Sequence, residues 1–303
     1  MKNAGRIAVI GSSNTDMVVL TDKFPAPGET VMGKDFLMNA GGKGANQAVA
    51  AARLGATVAF IGKVGSDMFG QEAIRTLKNE GIDVTSVSTD SENASGIAQI
   101  TIDGNGENCI VVVPGANNTL TENDIQNAAK LICDADIVLL QLEIPLATVV
   151  HAAKFACQKG KKVILNPAPA TELPDDLFPN LYMVTPNETE IELLTGIRVT
   201  DQSTAKVAAE MMINKGVEVV IITMGTAGAY IHSANIQEHI TAPKVQAVDT
   251  TAAGDCFNGA LALALAESRD LTDAVQFANR AASIAVTRLG AQSSLPNKNE
   301  LDD

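Results

Sequence analysis

Short runs of aliphatic and β-branched residues alternate with stretches of helical periodicity along most of this 303-residue chain. The apolar runs at 6–11, 57–61, 137–141, 162–166, 181–185 and 218–223 predict strands, and 228–232 predicts a further strand returning after a turn. Helical spacing predicts helices near 44–54, 69–80, 122–133, 147–159, 203–215, 255–266 and 271–287. In the first of these Ala45, Ala48, Val49 and Ala52 share a face, and Gly55 closes it. Strands that are apolar throughout and separated by helices predict an α/β fold: a mostly parallel central sheet with helices on both faces. Such sheets take ligands at the carboxyl ends of their strands.

Two stretches break the rhythm. Residues 15–40 hold β-like runs at 17–20 and from about 31 to 38 with no helix between them, and 95–113 reads as a hairpin turning at 103–106. Together they predict a small antiparallel sheet, formed by about 15–40 and 95–113, projecting from a single domain that spans 1–303. Apolar strands in so small a sheet need a cover. A lid over substrate that doubles as a homodimer surface meets that need. A pair of ordinary surface hairpins is the plainer alternative.

Composition narrows the partners. The 22 Lys and Arg against 35 Asp and Glu leave a net charge of −13, which disfavours nucleic acid and anionic membranes. No apolar run approaches the ~20 residues of a membrane span. The start of the chain leads into the β-like run 6–10 without a secretory core. Cysteines at 109, 133, 157 and 256 form no CxxC pair, and His151, His232 and His239 have no zinc spacing. A reduced, cytoplasmic protein without metal-thiolate sites is expected.

Candidate chemistry lies where strands end and helices begin. Asp249-Thr-Thr-Ala252-Ala253-Gly254-Asp255 is a small-residue loop opening onto a helix. The helix N-terminus favours an oxyanion, and Asp255 beside it is placed to take a proton from an attacking hydroxyl. Asp255 as a mere helix cap predicts the same residue there. Asn14 and Asp16 follow the first strand and suit a hydroxyl-rich ligand, or else an Asx turn. Gly41-Gly42-Lys43-Gly-Ala-Asn46 allows close backbone approach to a ligand beside one cation, unless its glycines are structural. No Gly-Lys is followed by Ser or Thr, so this is no Walker A loop, and no GxGxxG follows the first strand. Asn187 and Glu190 face one way on a first helical turn, fitting either a hydrated Mg²⁺ or a capping box. The segment 223–228 (Thr223, Met224, Gly225, Thr226, Ala227, Gly228) joins two β runs, and Glu143 sits at another strand end.

In this order, across essentially the whole chain, these segments resemble the ribokinase-type carbohydrate kinases. The most specific blocks are 41–46, with 62–70 behind it, and 249–255. The resemblance implies ATP-dependent phosphorylation of D-ribose at its 5-hydroxyl, with Asp255 as the base. It implies that Asn14, Asp16, Gly42, Lys43, Asn46 and Glu143 hold the sugar. Asn187, the 223–228 loop and Asn279 would contact ATP, Ala252, Ala253 and Gly254 would form the anion hole, and Glu190 would act with Asn187 on Mg²⁺ waters. It also implies a K⁺ beside the anion hole, at Asp249, Thr251, Ala285, Arg288, Gly290 and Ser294.

Two positions depart from the family pattern. Many relatives carry Gly where this chain has Ala252, whose Cβ predicts an ordinary negative φ there. Ser13 stands where an apolar residue is usual. At a helix N-terminus, Asp255 is also expected to have a low pKa. Other acceptors (fructose, 2-deoxyribose, a sugar acid, a nucleoside, a sugar phosphate) and a non-catalytic sugar sensor are the competing readings. Against a nucleoside stand the absence of Trp and the two Tyr. Against a sugar phosphate stands a lid whose basic residues are Lys23 and Lys34.

Overall fold

Alternation along the first strand decides which apolar layer each residue joins. The computed structural model describes residues 5–301. In it β1 (Arg6–Ile10) sends Ile7 and Val9 into one buried layer and Ala8 and Ile10 into the other. Around it run β4 (Thr57–Gly65), β5 (Asp83–Asp90), β8 (Ile137–Leu140), β9 (Lys162–Leu165), β10 (Met183–Val184) and β11 (Val219–Thr223), all in parallel pairing. β12 (Ala229–Ser233) and β13 (Gln237–Ile240) add antiparallel strands at one edge. The order across the described sheet is β13-β12-β11-β10-β9-β8-β1-β4-β5.

The chain leaves β1 toward β4 and β5, then returns to β8 and winds the other way. That switch opens a crevice outside the carboxyl ends of β1 and β8, the place where such sheets take ligands. On one face lie α1 (Lys43–Arg53), α8 (Ala253–Ala266) and α9 (Leu271–Ala285). The other face is covered by α3 (Glu122–Asn127), α4 (Ala129–Asp134), α5 (Leu146–Gln158), α6 (Glu188–Thr195) and α7 (Gln202–Asn214). α2 (Met68–Asn79) leads from β4 to β5. None of the described helices is long and apolar enough to cross a membrane.

α1 and α8 touch closely. A Cβ on Gly259 would lie 2.6 Å from the Gln47 carbonyl oxygen and 2.7 Å from Ala50 Cβ, so only glycine permits this approach. The consequence is felt in the crevice, where both helices begin.

The projecting sheet has the order β3 (Asp35–Gly41), β2 (Asn14–Leu20), β6 (Gly96–Ile102), β7 (Asn108–Val113). It is mixed rather than purely antiparallel, because β2 and β6 pair in parallel. Both strands run outward from the main body, one after β1 and one after β5, while β3 and β7 run back. Two outgoing strands that meet are necessarily parallel.

Other boundaries differ too. The helix expected over 122–133 breaks at Ala128 into α3 and α4. β5 and β13 are edge strands with mostly polar or exposed residues, which no apolar run announces.

Candidate active site

Four carboxylates and one ammonium meet at the crevice: Asp16 from β2, Glu143 after β8, Glu190 from α6, Asp255 from α8 and Lys43 at the start of α1. Such a group exists because five different strand or helix ends open onto one place. Burial above all, then the nearby charges of Glu143 and Asp255, pushes the Asp16 carboxyl up to about 7. Burial opposes the charged form of Lys43, but Asp255, Glu143 and Glu190 outweigh it and hold its pKa above the usual lysine value. Burial likewise raises Glu190, partly offset by the Asn187 N–H and by Lys43.

Glu143 ties two of these elements together. Its Oε2 accepts from Ser12 Oγ at 2.6 Å and from the Lys43 N–H at 3.0 Å. A carboxylate thus satisfies an orphan donor at the start of α1, which no side chain of its own N-cap, Gly42, supplies. Asn14 is fixed from behind: Asn117 Nδ2 donates to its Oδ1 at 2.8 Å, leaving the Asn14 amide N–H groups for a ligand. The same Asn117 accepts from the Ser13 N–H at 2.9 Å and donates to the Ser13 carbonyl at 3.1 Å, fixing the backbone ahead of Asn14. A Cβ on Gly41 would fall 2.3 Å from the Asp16 carboxylate, so glycine makes room for that side chain.

Asp255 is not a helix cap. Ala252 is the N-cap of α8, and no side chain among the described residues caps this end. Asp255 sits at the third helical position with its carboxylate turned to α1: Asn46 Nδ2 donates to Oδ2 and Gln47 Nε2 to Oδ1, each at 3.0 Å. Its pKa is raised, not lowered. Burial exceeds the combined pull of Lys43, Asn46 and Gln47, so complete desolvation overrides the helix-end argument. The neighbouring Cys256 thiol is pushed up to about 12 by burial, then by Asp255, and is no nucleophile.

Ala252 also contradicts the expectation of ordinary backbone. It adopts φ 59 and ψ 13, left-handed despite its Cβ. The strain is of the order of 1–3 kcal/mol; buried α8 holds it on one side, and on the other the Asp249 carboxylate anchors the exposed loop to Thr251 and Gly290. The turn draws the Ala253 N–H back onto the Thr250 carbonyl at 3.2 Å, while the N–H groups of Gly254 and Asp255 have no backbone acceptor among the described residues.

A cleft of about 360 Å³ runs from this end toward β11, lined by Lys43, Asn187, Glu190, Thr223, Gly225 and Gly228 and by Ala252 through Asp255. Asn279, Phe257 and Ala282 close its far wall. Asn187 and Glu190 form a capping box on α6, with Glu190 N–H to Asn187 Oδ1 at 2.8 Å and Asn187 N–H to Glu190 Oε2 at 2.9 Å. Both still line the cleft, so capping and ligand contact are compatible. Met224 instead packs on the core, and Thr226 and Ala227 lie exposed outside the lining.

The expected cation positions lie behind the α8 loop. Asp249 Oδ1 accepts from the Thr251 N–H at 2.9 Å and from its hydroxyl at 2.7 Å, and Oδ2 accepts from the Gly290 N–H at 2.8 Å. This staples the 249–251 loop to the segment after α9. The Ala285 carbonyl accepts from the Arg288 N–H, Ser294 is buried, and the Arg288 guanidinium pairs with Glu300. Among the described residues no group of three or more His, Cys, Asp or Glu is arranged to hold a metal.

Sequence reasoning missed several buried polar residues at the site, among them Ser12, Gln47, Asn117, Gln141 and Asn166. Gln47 stood in plain view beside Asn46, but an amide inside an alanine-rich helix announces nothing. Asn166 and Asn117 follow strands, the one signal that was available.

Comparison with known proteins matches residues 4–298 to the model described as "pfkB family carbohydrate kinase". The chain is 45% identical over 294 residues to a ribokinase of Haemophilus influenzae, covering 97% of this chain and 96% of that one. It is 40% identical over 298 residues to a deoxyribokinase of Salmonella typhi, covering 98% and 97%. Its structure resembles that of an Arabidopsis thaliana ribokinase complexed with ribose and ATP, with TM-score 0.92, 31% identity and 98% and 97% coverage.

Proposed function

The chain belongs to the pfkB family of carbohydrate kinases, and on that footing we propose that it transfers the terminal phosphoryl of ATP to the 5-hydroxyl of D-ribose. The observation that carries this reading is the setting of Asp255. Its buried carboxylate lies between an uncapped helix N-terminus, fit for phosphoryl oxygens, and the polar side chains of Asn46, Lys43, Glu143 and Asp16 that stand close to it. The full-length likeness to ribokinases supports the substrate.

In this reading ribose lies between β2 of the projecting sheet and α1. Asp16 and Glu143 accept from its hydroxyls, and the Asn14 amide donates. Asp255 takes the 5-hydroxyl proton as that oxygen attacks the γ-phosphorus in line; the new O–P bond forms while the bond to the ADP oxygen breaks. A base whose pKa burial has raised is better matched to this task than a helix-end carboxylate at its ordinary value. The N–H groups of Gly254 and Asp255, with that of Ala252, and the Lys43 ammonium stabilise charge on the transferring group, the Ala253 N–H being held by the Thr250 carbonyl. The Asn187–Gly228 side of the cleft and Asn279 take the nucleotide.

Mg²⁺ fits the Asn187–Glu190 side, where one buried carboxylate beside phosphates suits an ion that keeps most of its waters; it supplies charge neutralisation between the phosphates. K⁺ would be held by oxygens of the 249–251 loop and the 285–294 segment, which Asp249 joins, and would supply positive charge beside the turn at Ala252. The exposed apolar projecting sheet is read as a lid that pairs with a second copy. Four free cysteines accord with a cytoplasmic setting.

A second reading keeps the chemistry and changes the acceptor to 2-deoxyribose, in line with the Salmonella typhi relative. ADP release measured with ribose, 2-deoxyribose, fructose and adenosine, with and without K⁺, separates the two. Ribose is expected to give the highest kcat/KM, with stimulation by K⁺. Asp255→Asn is expected to keep ribose binding and lose turnover by about 10³-fold. Near-normal turnover in that variant, or silence of the native protein on every sugar, would overturn the assignment.

A further inference from the structure

Behind the Asp255 carboxylate lies a file of buried amides, of which Asn166 reaches the cleft wall while Gln47 and Gln141 stand behind it. Gln47 Nε2 donates to Asp255 Oδ1 and also to Asn166 Oδ1, each at 3.0 Å. Gln47 Oε1 accepts from Gln141 Nε2 at 2.6 Å, and Asn166 Nδ2 donates to the Thr185 carbonyl at 3.2 Å. Gln47 and Gln141 are fully buried. We infer that Gln47, oriented by Gln141, is a positioning residue for the base: it holds one oxygen of Asp255 so that the remaining lone pairs face the attacking hydroxyl. The inference rests on the proposed kinase reading, which it deepens.

Amide orientation here follows from chemistry rather than choice. A carboxylate only accepts, so Gln47 must turn its NH₂ toward Asp255. That leaves Gln47 Oε1 facing Gln141, which must then present its own NH₂. The order of donors is dictated from the carboxylate outward, and it ends on Gln141 Oε1, which is buried without a partner among the described residues. A file with one permitted orientation fixes its terminal carboxylate better than a single hydrogen bond does. Asn46 on the same helix secures the other oxygen but also lies at the sugar side, so the two neighbours divide the work.

Removing the Gln47 donor has a signature distinct from loosened packing. The N–H group favours the ionised carboxylate, so its loss raises the proton affinity of Asp255. The other charged groups that face Asp255 are Lys43 on α1, Asp16 on β2, Glu143 after β8 and Glu190 on α6, and none of them changes.

The test compares the native protein with Gln47→Met, which keeps the volume without a donor, and with Gln141→Met, which frees the Gln47 amide to turn. The pH profile of kcat is recorded at saturating ribose and MgATP, alongside thermal unfolding. In Gln47→Met the acid limb of kcat is expected to move up by about one pH unit and neutral-pH kcat to fall about tenfold, with the KM for ATP little altered. Gln141→Met is expected to move the same limb by less. Should Gln47→Met fail to fold, Gln141→Met decides alone. A lowered melting temperature with an unmoved limb in every folded variant would overturn the inference. Native turnover on ribose tests the kinase reading separately. Should native turnover be absent, a ¹³C-aspartate titration, with Asp255 assigned through Asp255→Asn, reads the same displacement; an unmoved resonance overturns the inference.

Discussion

If Asp16 holds the sugar as proposed, this single residue links sugar binding to pH. Its carboxyl is pushed up to about 7, by burial first and then by Glu143 and Asp255. Between the ordinary aspartate value of 3.8 and about 7 the folded protein holds a proton that the unfolded chain has released, so this group's contribution to stability falls as pH rises through that window. Sugar hydroxyls donate to the ionised carboxylate, so ribose binding would favour the charged form and release a proton below about pH 7. Ribose affinity is therefore expected to weaken about tenfold between about pH 8 and about pH 6. Calorimetry in buffers of differing ionisation enthalpy measures both affinity and proton release. Asp16→Asn is expected to bind ribose more weakly and without the slope. Equal slopes in both proteins would remove Asp16 from this role. Ala252 teaches a related point: a Cβ makes a left-handed backbone costly but not impossible, and here the loop conformation prevailed over the local rule.

At the scale of elements, the site depends on how closely α1 and α8 approach. Asn46 and Gln47 reach Asp255 only because Gly259 has no side chain. Gly259→Ala forces a Cβ against the Gln47 backbone oxygen and is expected to cost about 1–3 kcal/mol of stability, as overpacking does. It should also lower kcat, since the displaced helix carries both amides away from the carboxylate. Thermal unfolding and steady-state turnover check this; a variant that melts and turns over like the native protein would show that the contact relaxes freely. The same pair of helices shows what could be read from the sequence. The strands β1, β8, β9 and β11 announce themselves as apolar runs because both faces are buried, and the 249–255 loop is legible because glycine, alanine and aspartate meet at a helix start. β5 is not legible, since a half-exposed edge strand of Ser and Thr resembles a loop. Gln47 is not legible either: its partners Gln141, Asn166 and Asp255 lie 94, 119 and 208 residues away, and no local pattern encodes such meetings. The raised pKa of Asp255 escaped for the same reason, because local rules see the helix end and not the burial.

On the scale of the whole molecule, the projecting sheet is the part whose exposure demands an explanation. Phe36, Leu37 and Met38 on β3 and Ile110 through Val113 on β7 are each about half exposed, from 46% to 57%. Strand register puts Leu37 and Ile110 on the face that bears Asp16, and Phe36, Met38, Val111 and Val113 on the opposite one. The Asp16 face has a use at its base, where the sugar would lie, but its outer half and the reverse face do not. Contiguous apolar surface of this kind is rarely left to water. A second copy offers the same apolar sheet and lets the patch satisfy itself by two-fold symmetry. The homodimer proposal therefore yields a mass measurement. Replacing Ile110 and Val111 together by Asp places one charge on each face of β7 without touching the crevice. The native protein is expected to sediment as a dimer and the double variant as a monomer, with its thermal unfolding largely retained because both positions are already exposed in a single chain. A native protein that sediments as a monomer at micromolar concentration, or a double variant that stays dimeric, would mean that the projecting sheet is not a dimer surface.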